Sequence, residues 1–202
     1  DLVLTFSDLQ ADIAADLIRK GVQVHAFNQR DIEGIFGMIR TVGALTGCSA
    51  RAAKLVDAYA MRVARVAAHT RPHRPRVWFE EWDEPLISGI RWVSELIGVA
   101  GGQDVFADLS HGPGARERIV TPEAAAAAMP EVILASWCGK KVVPERIAGR
   151  PGWDRVPAVR DGRIHEIKSP LILSPGPAAL TAGLDALVEA LWGGQAALGA
   201  VA

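Results

Sequence analysis

Several predicted strands of this chain are followed directly by polar or aromatic residues that could bind a ligand. In open α/β sheets, ligands bind beyond the carboxyl ends of the strands, so these positions are the first to consider. A tryptophan there offers a large flat surface and one N–H donor, which suits contact with a bulky planar ligand. The residues at these strand ends are Phe6, Ser7 and Asp8; Glu80, Glu81, Trp82 and Asp83; Ser136, Trp137, Cys138 and Gly139; and Lys168, Ser169 and Pro170.

Acidic residues are concentrated in the segment Glu80–Glu84. Paired carboxylates could act in acid/base catalysis or bind a hard cation, whereas a solvated acidic strand end needs neither explanation. An enzyme would also need an activated electrophile or a phosphate-binding loop, and neither Gly101–Gly102 nor Gly112–Gly114 has a phosphate-loop pattern. We therefore expect a solvated strand end and no catalytic residues. One alternative stays open, in which Glu81 and Cys138 are the reactive groups of an enzyme or a cofactor-assembly factor.

Histidine and cysteine spacing does not indicate a metal site. None of the five histidines is part of an H-E-x-x-H motif, and the one pair spaced four residues apart, His69 and His73, is interrupted by Pro72. The two cysteines, Cys48 and Cys138, lie far apart and outside any C-x-x-C motif, so neither a disulfide framework nor a zinc ribbon is indicated. We expect Cys138 to be a small buried side chain. A metal-ion receptor whose His and carboxylate ligands meet only in space remains an alternative.

The overall composition is that of a globular protein, with 50% hydrophobic residues and 22% charged residues. A formal net charge of −1 and the lack of a Lys/Arg cluster argue against nucleic acid as a partner. A membrane span needs about 18 to 20 uncharged apolar residues. The most apolar stretch, Leu171–Leu191, is interrupted by Pro175, Pro177 and Asp185, so we expect no membrane span.

The first elements predict a parallel sheet. The segment Asp1–Phe6 has the pattern of a buried strand from its first residue, and we expect an N-terminal portion to precede it. Ser7 and Gln10 form a capping-box pattern that begins a helix ending near Gly21, and Val22–Phe27 then alternates as a strand does. A strand, a short helix and a second strand in this order are typical of parallel pairing.

Two further helices follow. Asp31 is predicted to cap the first, and the second, from Ser49 to about Thr70, contains no Gly or Pro and would be roughly 30 Å long. The proline-rich segment 71–75 ends this helix. Because it separates two α/β segments, the long helix is predicted to connect them.

The remaining chain predicts a second α/β unit with its own sheet. A turn at Asp161–Gly162 indicates a pair of strands on either side of it. The predicted strands are Val77–Glu80, Val132–Ala135, Val156–Val159 and Arg163–Ile167; the predicted helices are Gly89–Val99, Pro122–Met129 and Pro177–Leu191.

The order and spacing of several segments resemble the cobalamin and iron-chelate solute-binding proteins of ABC importers. These segments are Phe79–Gly89, Trp92–Leu96, Ala100–Phe106, Pro157–Ile164 and Ser174–Pro177. The resemblance implies two Rossmann-like lobes joined by one long α-helix, with the first lobe N-terminally truncated. The implied boundaries are residues 1–47 for the rest of the N-terminal lobe, 48–71 for the connector helix and 72–202 for the C-terminal lobe.

The resemblance also implies a function and a site. The chain would capture a cobalamin between its lobes and deliver it to an ABC permease, without catalysis or a resident cofactor, as a periplasmic or extracytoplasmic monomer. Haem, siderophore or metal-ion receptors of the same fold are the alternatives. Glu123, in the segment Thr121–Glu123 ahead of Met129–Ile133, would dock on the permease. The implied ligand-binding residues are Phe6, Ser7, Asp8, Glu81, Trp82, Trp137, Cys138, Lys168 and Ser169.

Overall fold

The N-terminal unit is a two-stranded parallel sheet with one crossover helix. A computed structural model describes residues 2–69 and 73–193, so Asp1, the predicted first strand residue, lies outside it. Strand β1 (Leu2–Phe6) pairs with β2 (Gln23–Phe27), and α1 (Ala11–Arg19) connects them. The Gln10 side chain accepts a hydrogen bond from the Phe6 amide at 2.7 Å, and the Ser7 hydroxyl accepts one from the Leu9 amide at 3.4 Å. The predicted β-α-β unit is therefore confirmed.

The next two helices pack on each other. Helix α2 (Ile32–Leu45) begins at Asp31, whose carboxylate accepts a hydrogen bond from the Gly34 amide at 2.7 Å, as the sequence predicts. Helix α3 (Ser49–Ala67) has 19 residues, and the predicted end of this helix at residues 70–72 lies outside the described part. A Cβ atom on Gly43 would overlap the Ala52 methyl group, so glycine permits the close approach of α2 and α3.

The second sheet is mixed and has the strand order β4-β3-β6-β7. Strands β3, β6 and β7 are parallel, β4 is antiparallel to the end of β3, and β5 pairs with the beginning of β3. These strands are β3 (Arg76–Asp83), β4 (Leu86–Ser88), β5 (Gln103–Asp104), β6 (Val132–Ala135) and β7 (Ile164–Glu166).

Helices cover both faces of this sheet because successive side chains of a strand point to opposite sides. On one face, Val77 and Phe79 of β3 join a core formed with α2, α3, α4 and α9. On the other face, Trp78 joins a core with Ile133 of β6 and Trp137. The remaining helices are α4 (Arg91–Val99), α5 (Pro122–Ala127), α6 (Pro144–Ala148), α7 (Pro157–Arg160), α8 (Ser169–Ile172) and α9 (Leu184–Trp192); short 3₁₀ turns span Asp8–Gln10, Ala107–His111 and Arg116–Arg118, and a π-helical turn spans Ala179–Gly183.

One predicted strand is wrong. The segment Val156–Val159 forms the first part of α7, which begins with Pro157. Proline at the first helical position needs no hydrogen-bond partner and has a helical φ, and the Ala158 amide donates to the Pro130 carbonyl at 3.0 Å. A four-residue apolar run does not distinguish a strand from a buried helical turn.

Cys48 and Cys138 are both free and exposed, so the expectation of a buried Cys138 is wrong. The chain leaves the core immediately after Trp137 and turns at Gly139, whose φ of 75° favours glycine. None of the helices in residues 2–69 and 73–193 is both long and apolar enough to cross a membrane.

The packing of α2 and α3 bears on the domain boundaries. Both helices contribute to the same hydrophobic core as the second sheet, through residues such as Phe36 of α2 and Val56 of α3. The segment just before α2 is also attached there, since the Arg30 carbonyl accepts a hydrogen bond from the Trp92 amide at 3.0 Å. The predicted boundaries at residues 47 and 71 stay predictions.

Candidate binding cleft

A cleft of about 670 Å³ lies between the carboxyl end of β1 and the second sheet. Its volume is within the range of about 300–1,000 Å³ that is typical of sites for small molecules and cofactors. The lining comes from both units of the fold, as expected for a site between lobes. The lining residues are Phe6–Gln10, Arg30, Glu81, Ile90, Trp92, Pro113–Arg118 and Leu173.

The N-terminal wall is formed where β1 ends. Ser7 has a φ of 63°, an uncommon backbone conformation for a residue with a side chain, and its amide donates to the Phe27 carbonyl at 2.7 Å. Such strain is found preferentially at binding and active sites. Leu9, the next apolar residue of this wall, is 90% exposed. An apolar surface is thus available to a ligand at the mouth of the cleft.

Arg30 adds a cationic group to the same wall. Its guanidinium carbon lies 5.5 Å from the centre of the Phe6 ring, and its Nη2 lies 3.5 Å from Asp8 Oδ1. Its Nε donates to Asn28 Oδ1 at 3.0 Å. These contacts direct the guanidinium along the cleft without using all five of its N–H donors.

The floor is apolar and rigid. Ile90 and Trp92 are 7% and 2% exposed, at the start of α4. The Trp92 indole N–H donates to the Ile172 carbonyl at 2.8 Å, which fixes the ring against the end of α8. Leu173 lies beside this contact and also lines the cleft. Because Ile90 and Trp92 are almost fully buried, a ligand would touch only their exposed edges, and these fixed side chains would lose little entropy on binding.

The C-terminal wall is the segment Pro113–Arg118, which we call the wall segment. Arg118 is buried and binds both carboxylate oxygens of Glu81, at 2.7 Å and 2.9 Å. Arg116 is exposed and faces the cleft together with Pro113. The wall therefore carries one guanidinium held by a buried ion pair and a second one accessible to ligand.

The predicted ligand-binding residues fall into three groups. Phe6, Ser7, Asp8 and Glu81 line the cleft. A second, smaller depression of about 240 Å³ is lined by Trp137, Lys168 and Ser169, together with Gly139–Lys141, Glu166 and Pro170. Trp82 and Cys138 are not among the lining residues of either cavity.

The Lys140 ammonium group lies close to both Trp82 and Trp137, the two tryptophans predicted to bind the ligand. Its ammonium nitrogen lies 4.1 Å from the centre of the Trp82 ring and 5.1 Å from that of Trp137, and it pairs with the buried carboxylate of Asp83. Cation–π contacts of this kind stabilise both partners. One face of Trp82 is therefore covered by a side chain of the protein itself.

The acidic strand end is not uniformly solvated, and the expectation fails most clearly at Glu80. This carboxylate is 0% exposed and accepts hydrogen bonds from the indole N–H groups of Trp78 and Trp137 at 3.1 Å and 3.0 Å. Arg150 donates two more, at 2.6 Å and 2.8 Å. The cluster fixes the ends of β3 and β6 relative to α6. Trp137 is thus 2% exposed and part of the core, although its ring edge lines the second depression.

The second depression contains a carboxylate, that of Glu166, among three lysines. Glu166 accepts a hydrogen bond from the Lys168 ammonium at 2.5 Å, and this contact lowers the pKa of the Glu166 carboxyl. The Val142 amide also donates to Glu166, at 3.3 Å. The depression therefore contains an internally paired carboxylate beside exposed lysines.

Glu123, the predicted docking residue, lies in the first turn of α5 and is exposed. The Thr121 hydroxyl caps this helix by accepting from the Ala124 amide at 3.2 Å. A carboxylate in this position is favoured by the helix dipole. Its role in docking stays a prediction. Within the described ranges, no group of three or more His, Cys, Asp and Glu side chains could hold a metal ion.

The predicted set lacks most of the residues that line the cleft, and four of these carry large or charged side chains: Arg30, Trp92, Arg116 and Arg118. None lies directly at the end of a predicted parallel strand, where ligand contacts are expected. Arg30 is the nearest to a sequence signal, because it directly precedes the helix cap Asp31 at the junction of the two units. The other three are brought to the cleft only by tertiary packing.

The model of one protein family, described as periplasmic binding protein, matches residues 1–171. The chain belongs to the periplasmic binding protein family. No curated protein sequence matches the chain. Family membership and the solved structures below indicate a substrate-binding protein of the ABC-transporter type, which acts in the periplasm or elsewhere outside the cytoplasm and has an ABC permease as partner.

Solved structures of other periplasmic binding proteins are similar to the whole described fold. A possible iron-binding solute-binding protein from Staphylococcus epidermidis is 21% identical with a TM-score of 0.79, over 95% of this chain and 76% of that one. The haem-binding protein RhuT from Roseiflexus sp. RS-1 is 23% identical with a TM-score of 0.74, over 94% and 76%. The haem-binding protein BhuT, solved with two haems, is 25% identical with a TM-score of 0.74, over 95% and 76%. These likenesses support the mixed α/β fold of two sheets.

Proposed function

We propose that this periplasmic binding protein captures a bulky metal chelate in the cleft and delivers it, as a monomer, to an ABC permease. The observation that carries the proposal is the cleft itself, about 670 Å³ in volume and lined from both units of the fold. Its lining combines an apolar floor with guanidinium groups on two opposite walls. No bond is made or broken in this function, so the contact residues need no reactive group.

The chemistry of the lining suits a chelate with an apolar body and polar substituents at its edge. Ile90, Trp92 and Leu173 would contact the body of the ligand. Arg30 and Arg116 would donate hydrogen bonds to carbonyl, carboxylate or phosphate oxygens at its periphery. Binding would then depend mainly on contact area, with the two arginines fixing the orientation.

We propose cobalamin as the first candidate ligand, as the sequence resemblance implies. Cobalt in cobalamin brings its own equatorial ligands, and amide and phosphate oxygens surround the ring, so the guanidinium, hydroxyl and apolar lining is sufficient to hold it. Haem is the second candidate, favoured by the likeness to RhuT and BhuT, which are described as haem-binding. Haem has two carboxylates, which Arg30 and Arg116 would bind.

The test is titration of the chain with cyanocobalamin, haemin and a ferric hydroxamate, followed by calorimetry and tryptophan fluorescence. We expect saturable binding of one of the three. Replacing Arg116 by Ala should weaken it about 10- to 150-fold, the effect of losing about 1.5–3 kcal/mol of hydrogen bonding to a charged group. Arg155→Ala, which removes an exposed arginine outside the cleft lining, is the matched control and should bind as the unmodified chain does. Binding of none of the three chelates would refute the proposal.

A further inference from the structure

A buried side chain helps to attach the wall segment Pro113–Arg118 to the second sheet. The Arg118 side chain is 3% exposed, and its Nη1 and Nη2 donate to Glu81 Oε2 and Oε1 at 2.7 Å and 2.9 Å. Nη1 also donates to the Ser88 carbonyl of β4. This two-pronged geometry fixes both the position and the orientation of the guanidinium plane. The side chain therefore joins the ends of β3 and β4 to the wall.

The main chain at Arg118 is fixed to the same strand. The Ser88 hydroxyl donates to the Arg118 carbonyl at 3.1 Å, and the Val120 amide donates to the Leu86 carbonyl at 2.9 Å. Side chain and backbone thus hold the C-terminal end of the wall segment in one place.

The rest of the wall segment is a tight turn that follows its attached end. The Gly114 amide donates to Glu117 Oε2 at 3.1 Å. A Cβ atom on Gly112 would come within 2.7 Å of the Glu117 Cβ, so the turn is closed against itself. The position of this closed turn is therefore set by its attached end at Arg118.

We propose that Arg118 is a positioning residue that sets the width of the cleft and presents Arg116 to the ligand. The inference rests on the proposed function, because it concerns how the same cleft recognises its chelate. Glu81 and Ser88 cover most of the Arg118 guanidinium. Arg118 therefore affects the ligand by positioning the wall segment and not mainly by direct contact. A buried ion pair often adds little net stability over an apolar pair of the same size, while it specifies one geometry. The Glu81–Arg118 ion pair accordingly fixes the position of the wall segment and contributes little to overall stability.

The decisive variant is the double substitution Glu81→Leu with Arg118→Met, which replaces the ion pair by apolar groups of similar length. We expect the thermal midpoint to stay near that of the unmodified chain, because no unpaired buried charge is left. The dissociation constant for whichever of cyanocobalamin, haemin and the ferric hydroxamate binds should rise about tenfold or more, equivalent to about 1.4 kcal/mol. Amide hydrogen exchange in residues 114–118 should become faster in the ligand-free protein.

Two single variants separate positioning from general destabilisation. Arg118→Lys keeps the charge but loses the two-pronged contact, so it should fold with a lower thermal midpoint and have an affinity between those of the unmodified chain and the double variant. Glu80→Gln is the matched control, because Glu80 is the neighbouring buried carboxylate with an arginine partner on the other face of β3. It should lower the thermal midpoint without changing affinity.

The outcomes discriminate clearly. Unchanged affinity and unchanged exchange in the double variant would overturn the role of Arg118, and so would an equal loss of affinity in Glu80→Gln. If the double variant fails to fold, Arg118→Lys decides alone, since full affinity in that variant contradicts the inference. If the unmodified chain binds none of the three chelates, the proposed function fails, whereas the exchange experiment on the ligand-free protein still tests whether Arg118 holds the wall.

Discussion

Replacing Glu80 by Ala should be one of the most destabilising single changes in the second sheet. The carboxylate is 0% exposed, and it accepts four hydrogen bonds, two from Arg150 and one each from the indoles of Trp78 and Trp137. The Arg150 side chain is itself only 14% exposed. Removal of the carboxylate therefore leaves one buried cation and two buried N–H donors without an acceptor.

The expected magnitude follows from these contacts. Breaking a buried ion pair from one side costs about 3–5 kcal/mol, and each unsatisfied buried donor costs about 1–3 kcal/mol. Because the groups share one acceptor and the site relaxes, the terms do not add fully. We expect Glu80→Ala to lose at least about 4 kcal/mol of a total stability of roughly 5–15 kcal/mol. Glu80→Gln keeps an acceptor oxygen and should lose less.

The assay is urea unfolding followed by the fluorescence of the six tryptophans, which include Trp78 and Trp137. Glu189→Ala, on the exposed side of α9, is the matched control and should change stability by no more than about 0.5 kcal/mol. A loss below about 1.5 kcal/mol in Glu80→Ala would refute the argument, because it would mean that Arg150 and the two indoles find other partners at little cost.

Two further changes test other parts of the fold. Gly183→Ala places a Cβ atom against the Leu171 carbonyl oxygen and should cost about 1–3 kcal/mol in thermal or urea unfolding, whereas Gly37→Ala in α2, where a Cβ meets no atom within 4 Å, should be neutral or stabilising. Burial, together with the charge of Arg163, lowers the pKa of His165 below its ordinary value near 6.5, so the unfolded chain binds this proton at a higher pH than the folded chain does. The contribution of His165 to the free energy of unfolding is therefore complete above about pH 6.5 and decreases as the pH falls toward the folded pKa. His165→Gln should make the free energy of urea unfolding less dependent on pH in that range. An unchanged pH dependence in this variant would contradict the assignment.

Local patterns predicted those elements whose physical causes lie within a few residues. The Asp31 carboxylate reaches the Gly34 amide, so the start of α2 is visible in the sequence. The predicted capping box at Ser7 and Gln10 begins a 3₁₀ turn, and α1 itself starts at Ala11. The segment Val156–Val159 was mistaken for a strand because its short apolar run fits either element.

The candidate site was predictable only in part. The ends of parallel strands indicated Phe6, Ser7, Asp8 and Glu81, which line the cleft. The same rule also selected Trp137, whose ring lies in the core with its N–H bound to Glu80. The position of a residue at a strand end does not show which other side chains cover it in the folded protein. It therefore does not distinguish a tryptophan that contacts a ligand from one that is buried in the core.

The sequence by itself determined the β-α-β opening, the helix caps, the two α/β units and membership of a binding-protein family, because capping, periodicity and segment order are short-range or linear properties. Only the tertiary structure decided that Arg118 binds Glu81 and Arg150 binds Glu80. These partners are separated by 37 and 70 residues, respectively. Glu80 and Glu81 are adjacent in β3 and point to opposite faces of the sheet. Glu81 therefore helps to attach the wall segment, whereas Glu80 is the centre of a buried polar cluster.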